Sequence, residues 1–245
     1  MLKKINNGHK RILVFGKTGS GKSYWLMKTL MPKIIHKYDD IVIFTRGHNN
    51  SYYQLGFKEF NKKPFIFNDV SKYIDMLKNI RKLQNGNVKN KSKDGTLIYK
   101  SSILIIFDDV LDEKLFKTME FMDLFTNFRH IACTTILLSQ LVNGVINTGM
   151  RTNANFLVFF NLGPGQRRGA IDMISDACDS ENIKKAKEEA RQIYKENCQA
   201  KQYGYIIVSD DGYISFDIGE NKKKFDESES ESESESESES ESDSD

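Results

Sequence analysis

No stretch of this 245-residue sequence approaches the eighteen or so apolar residues that span a bilayer, and no long apolar run follows the lysines near its start. The expectation is a soluble, intracellular protein with neither a membrane helix nor a secretory leader. Cysteine is scarce as well. Cys133, Cys178 and Cys198 are odd in number and too widely spaced for a local zinc pattern, so they read as free thiols rather than a disulfide framework.

Basic residues are missing from one region altogether. From Asp226 to the end the chain alternates acid with serine and holds 11 acidic residues, with no Lys or Arg. It has no apolar surface to bury, and like charges at alternate positions keep it extended, so residues 221–245 read as a disordered acidic tail. The tail reads as a solubilising device, or as a substrate for an acid-directed kinase. Removing its 11 acids from the chain's 34 leaves 23 against 36 Lys and Arg, so the formal +2 of the whole conceals a body of +13. Such a body favours a polyanionic partner such as DNA or RNA, the alternative being a solvated lysine-rich surface.

What is present is an alternation of strand-like and helical patterns over residues 1–220, enough chain for one α/β domain with a full core. Apolar runs at 12–15, 41–45, 65–67, 103–107, 135–139 and 156–160 are separated by helical patterns, notably 70–83 and 112–128. Nearly continuous hydrophobic strands with helices between them predict a mainly parallel sheet covered on both faces. A charged helix over 181–197 then precedes two short runs, 204–208 and 213–216, around Asp210-Asp211-Gly212, which predicts a C-terminal β-hairpin. Two loops stand out. Residues 82–100 carry Lys89, Lys91 and Lys93 against Asp94 and read either as a finger touching nucleic-acid phosphate or as a surface loop. Arg167 and Arg168 follow a strand, where they would face nucleotide or a neighbouring subunit.

Between the first strand and the first helix the chain reads Gly16-Lys17-Thr18-Gly19-Ser20-Gly21-Lys22-Ser23, which is G-x-x-x-x-G-K-S. The three glycines let successive N–H groups turn toward phosphate oxygens, and the helix that follows offers its positive end to the same anion. Lys22 is placed to reach the β- and γ-phosphates, and the Ser23 hydroxyl to ligate Mg²⁺. ATP or GTP with Mg²⁺ is therefore the expected ligand, in a P-loop NTPase. The strand at 103–107 runs into Asp108 and Asp109. Asp108 would hold the Mg²⁺ water shell, whereas Asp109 would either orient the attacking water or begin the next helix as a cap.

Further on, Arg129-His130 precede a strand ending in Ser139-Gln140, and Arg151-Thr-Asn-Ala-Asn-Phe precedes the last long apolar strand. This order of motifs, over roughly residues 10–160, resembles the genome-packaging ATPases of large DNA viruses and virophages, small members of the FtsK–HerA superfamily of DNA-pumping ring motors. The resemblance implies a homo-oligomeric ring that hydrolyses ATP to move double-stranded DNA into a capsid, with a capsid vertex protein as partner, in the host cytoplasm where virions assemble. It implies that Gln140 senses the γ-phosphate and that Arg129, or else Arg151, reaches into a neighbour's site. The superfamily often has Glu where this chain has Asp109. After Gly163 there are only scattered acids on helical patterns, so pumping without cutting is expected. A nucleotide or nucleoside kinase and an ATP-gated interaction module are the competing readings.

Overall fold

A computed structural model describes residues 4–5, 8–46, 50–86, 88–91, 97–99, 101–110, 112–126, 132–142, 148–178, 180, 182–212 and 214–216. The elements, in chain order, begin with β1 (Arg11–Phe15), α1 (Lys22–Trp25), which runs through a π-helical turn (Leu26–Leu30) into α2 (Met31–Ile34), then β2 (Asp40–Thr45), α3 (Asn50–Lys58) and β3 (Phe65–Phe67). They continue with α4 (Tyr73–Gly86), β4 (Val88–Lys91), β5 (Leu97–Tyr99), β6 (Ile103–Asp108), α5 (Glu113–Phe116), α6 (Met119–Thr126) and β7 (Cys133–Ser139). The last are α7 (Thr148–Asn153), β8 (Phe156–Phe159), α8 (Pro164–Ser175), α9 (Ile183–Tyr194), a second π-helical turn (Lys195–Gln199), β9 (Ile206–Ser209) and β10 (Ile214–Ser215).

Eight strands form one sheet in the order β10-β9-β8-β1-β7-β6-β2-β3. The pairings from β8 across to β3 are parallel, and β9 and β10 add an antiparallel hairpin at the edge beyond β8. This is the expected architecture, and its physical basis lies in the strands. Successive side chains point to opposite faces, so a strand apolar at every position needs cover on both. Leu13, Phe15, Phe44, Phe107 and Leu137 pack into one core, while Ile12, Val14, Ile43, Ile106 and Leu138 pack into the other.

Several local expectations need correction. The pattern at 112–128 is not one helix: among the described residues it breaks into α5 and α6 at Lys117 and Thr118, because the Thr118 hydroxyl turns back to Leu115 O (2.7 Å) and accepts from Phe121 N (3.3 Å). A side chain that bonds the backbone in this way starts a new helix rather than continuing the old one. The region 82–100 includes β4 and β5, which pair antiparallel in a small sheet of their own, with residues 92–96 outside the description. The helix expected over 181–197 is α9 followed by a π-helical turn, and the three cysteines form no disulfide. Among the described residues no helix is long and apolar enough to cross a membrane, and no group of three or more His, Cys, Asp and Glu residues is placed to hold a metal ion. The tail from residue 221 lies outside the described residues.

Candidate nucleotide site

The loop from Gly16 to Gly21 leaves the carboxyl end of β1, between β8 and β7, and both neighbours pin it. Gly16 N donates to Ser139 O at the end of β7 (3.1 Å), and Lys17 N donates to Asn161 O just beyond β8 (2.9 Å). Ligands of open parallel sheets gather at this end of the strands. Gly21 closes the loop with φ 96°, a left-handed conformation that side chains avoid, and caps α1, with Trp25 N donating to its carbonyl at 2.8 Å. Lys22 is buried, and its Nζ donates to Gly16 O (2.8 Å) and Lys17 O (3.3 Å), so the ammonium lies folded across the loop. Burial holds its pKa below the ordinary value, with the charges of Asp109 and Asp108 opposing that shift. A polyphosphate would supply the negative charge that such a lysine lacks.

Asp108 ends β6, buried, two strands away from β1. Its Oδ2 accepts from Tyr53 OH at 2.8 Å and from Ser23 Oγ at 3.4 Å. One carboxylate oxygen thus ties three elements together: α1, α3 and β6. The donor set of a hydroxyl beside a carboxylate suits a hard, oxygen-seeking cation such as Mg²⁺. Asp109 takes a different conformation. Its φ is 51°, in the left-handed region, and its backbone N donates to Leu138 O at 3.2 Å, which turns the chain out of β6 toward the loop. Its Oδ1 is buried without a hydrogen-bond partner among the described residues. The cap of the next helix is supplied instead by Asp112, whose Oδ1 accepts from Lys114 N (2.8 Å) and Leu115 N (3.3 Å). Asp109 is therefore not serving as that cap.

Residues Thr18 to Tyr24, Asp109 and Tyr203 line a cavity of about 580 Å³, within the range that holds small organic ligands. Gln140 follows the end of β7, the strand between β1 and β6, and is half-buried. Arg151 sits on α7, half-buried, with Nη2 3.5 Å from Thr148 Oγ1, and it does not line the cavity. Neither do Arg167 and Arg168, which lie in the first turns of α8 and not on a loop: Arg167 Nε donates to Leu162 O, just before the helix, at 3.1 Å, and Arg168 is exposed. Arg129 lies outside the described residues. The sequence reading missed Tyr53 and Tyr203, since no motif marks either; their places depend on chain segments far from the loop.

This strand, loop and helix with a carboxylate-tipped strand two places away is a phosphate-loop ATPase core. Comparison with protein-family models matches residues 2–236 to the poxvirus A32 protein. The chain belongs to the poxvirus A32 protein family. That agrees with the resemblance to viral packaging ATPases carried by the motifs, and A32 membership extends it beyond residue 160. Among solved structures the chain is similar to the genome packaging NTPase B204 from Sulfolobus turreted icosahedral virus 2 in complex with AMPPCP, at 17% identity and a TM-score of 0.59, covering 86% of this chain and 97% of that one. The same NTPase in complex with ATP-gammaS gives 17% identity and a TM-score of 0.58, over 86% and 97% of the two chains. B204 described as the DNA-packaging ATPase from Sulfolobus turreted icosahedral virus gives 20% and 0.56, over 86% and 98%. At these identities the likeness is one of fold. No curated protein sequence matches the chain significantly.

Proposed function

We propose that this A32-family chain hydrolyses ATP to drive double-stranded DNA into a viral capsid, working as a ring of identical subunits in the host cytoplasm, with a capsid vertex protein as its docking partner. The observation that carries the hydrolytic reading is Asp109: a carboxylate in a left-handed turn, lining the same cavity as the phosphate loop, with one buried oxygen that no described group satisfies. Backbone strain of this kind persists where the surroundings hold it, and it gathers at functional sites. The similar fold of the genome packaging NTPases supports the reading.

In this mechanism the N–H groups of residues 17–23 and the Lys22 ammonium hold the β- and γ-phosphates. Ser23 Oγ and Asp108 would hold Mg²⁺, which supplies charge neutralisation on the phosphate oxygens. Asp109 orients a water and takes its proton as the water oxygen bonds to the γ-phosphorus. The bond from γ-phosphorus to the bridging oxygen breaks, and ADP leaves with that electron pair. Gln140, at the end of the strand between β1 and β6, is the sensor of the γ-phosphate. An arginine of a neighbouring subunit, Arg129 or Arg151, stabilises the charge that develops. The +13 body then carries the duplex by its phosphates.

The test measures phosphate release with and without long duplex DNA, alongside phosphoryl transfer to nucleosides. DNA-stimulated release without transfer is the expected result. Transfer to a nucleoside would make the chain a kinase, and release indifferent to DNA would make it an ATP-gated module.

A further inference from the structure

Tyr203 combines two features that ordinary packing does not call for. The residue is 59% exposed, and its backbone lies in the left-handed region at φ 60°. An aromatic residue is uncommon there, and the conformation lasts only where neighbours impose it. Here they do. The π-helical turn closes with Ala200 N donating to Lys195 O (2.9 Å), Lys201 Nζ bonds Asn197 Oδ1 (3.0 Å), and Gly204 N returns to Lys201 O (3.2 Å). Gly204 passes so close to the Asn197 carbonyl that a Cβ there would collide with it. On the other side Tyr205 is packed against Trp25 of α1 (ring centroids 5.8 Å) and Phe160 (5.5 Å). Tyr203 is thus stapled between two fixed points.

The staple aims its ring at the phosphate loop. A Cβ built on Gly21 would stand 3.0 Å from Tyr203 Cδ1, and Tyr203 lines the cavity together with Tyr24, which is 65% exposed. Lys22 accounts for the β,γ end of a bound triphosphate, so the nucleoside must occupy the rest of that cavity. Among the described residues, its aromatic lining is these two tyrosines.

We infer that Tyr203 is the stacking platform for the nucleotide base, and that this contact gives the site a preference for purine over pyrimidine triphosphates. The inference rests on the nucleotide-site reading above and adds the residue that holds the far end of the ligand. Stacking uses the π-face common to all bases and grows with ring area, so a purine gains more than a pyrimidine.

The experiment measures dissociation constants for ATP, CTP and inorganic triphosphate, each with Mg²⁺, by calorimetry on wild type, Tyr203→Phe, Tyr203→Ala, Tyr203→Gly and Lys22→Ala. Tyr203→Ala and Tyr203→Gly should weaken ATP by about tenfold, shrink the ratio of CTP to ATP dissociation constants, and leave triphosphate unchanged. Tyr203→Phe should stay within about twofold of wild type. The glycine variant also guards against misfolding: it relieves the left-handed backbone, so its melting temperature should equal or exceed that of wild type. Unchanged ATP affinity in Tyr203→Ala, or an equal loss of ATP and triphosphate, would overturn the platform. Unchanged binding of both ligands to Lys22→Ala would instead overturn the nucleotide site itself.

Discussion

Tyr53, fully buried on α3, donates to Asp108 Oδ2 at 2.8 Å, the oxygen that Ser23 Oγ approaches at 3.4 Å. Burial, reinforced by the Asp108 charge, pushes the phenol well above its ordinary 10.0, so it remains a donor throughout the physiological range. Removing the hydroxyl in Tyr53→Phe should cost about 1.5–3 kcal/mol of stability, as expected for a buried bond to a charged acceptor. It should also lower turnover more than ATP affinity. A folded pKa above the unfolded value means that the contribution is fully present below 10.0 and is lost as pH rises beyond it. Urea melts of wild type and variant should therefore converge above 10.0; a gap that is constant or widens there would contradict the assignment.

Asp109 offers a way to separate strain from chemistry. Asp109→Asn tolerates the left-handed turn and keeps the shape, so ATP should still bind while hydrolysis falls by about 10²–10⁴-fold. Asp109→Gly should fall equally in turnover yet gain about 1 kcal/mol of stability, because glycine adopts φ 51° at no steric cost. Near wild-type phosphate release from Asp109→Asn would mean that the water is activated elsewhere.

The acidic tail supplies a charge test. If the +13 body grips phosphates, duplex affinity should fall steeply with salt, and deleting residues 226–245 should tighten binding at low salt because an internal competitor has gone. Filter binding or fluorescence anisotropy across a salt series reads both effects. Unchanged affinity on truncation would leave the tail as a solubility device.

How much of this was legible in the sequence depended on whether a residue's role is local. β1, β2, β3, β6, β7 and β8 start and stop within about two residues of the apolar runs that announce them, since the central strands are buried on both faces and are apolar at most positions, while β3 at the sheet edge is apolar though only partly covered. The glycine spacing of the loop and the Asp108-Asp109 tip are likewise written in consecutive letters. The break at Thr118 was hidden because a threonine inside an apolar period looks like a tolerated helix residue until its hydroxyl bonds the backbone. β4, which reads Val-Lys-Asn-Lys, is too polar for its pairing with β5 to show as a pattern. Tyr53 and Tyr203 acquire their places only when α3 and the turn before β9 fold onto the loop, so no window along the chain contains the signal.

The proposed ring predicts complementation between two inactive proteins. Lys22→Ala damages a subunit's own site, whereas loss of an arginine acting across the interface damages the neighbour's and lowers turnover by about 10³–10⁵-fold. Mixing Lys22→Ala with Arg129→Ala should rebuild some interfaces with both groups intact and recover part of the DNA-stimulated ATPase, rising with protein concentration. No recovery despite demonstrated co-assembly would move the role to Arg151.

The most direct measurement asks whether hydrolysis moves the chain along DNA. A short third strand bound in the major groove of a long duplex is displaced when a motor runs into it, and its release can be followed by fluorescence. Wild-type protein should displace it with ATP but not with a non-hydrolysable analogue, with a delay that lengthens as the run of duplex before the third strand lengthens, and Lys22→Ala and Asp109→Asn should displace nothing. Robust ATP hydrolysis with no displacement on any duplex, or displacement that proceeds equally well without hydrolysis, would contradict the account.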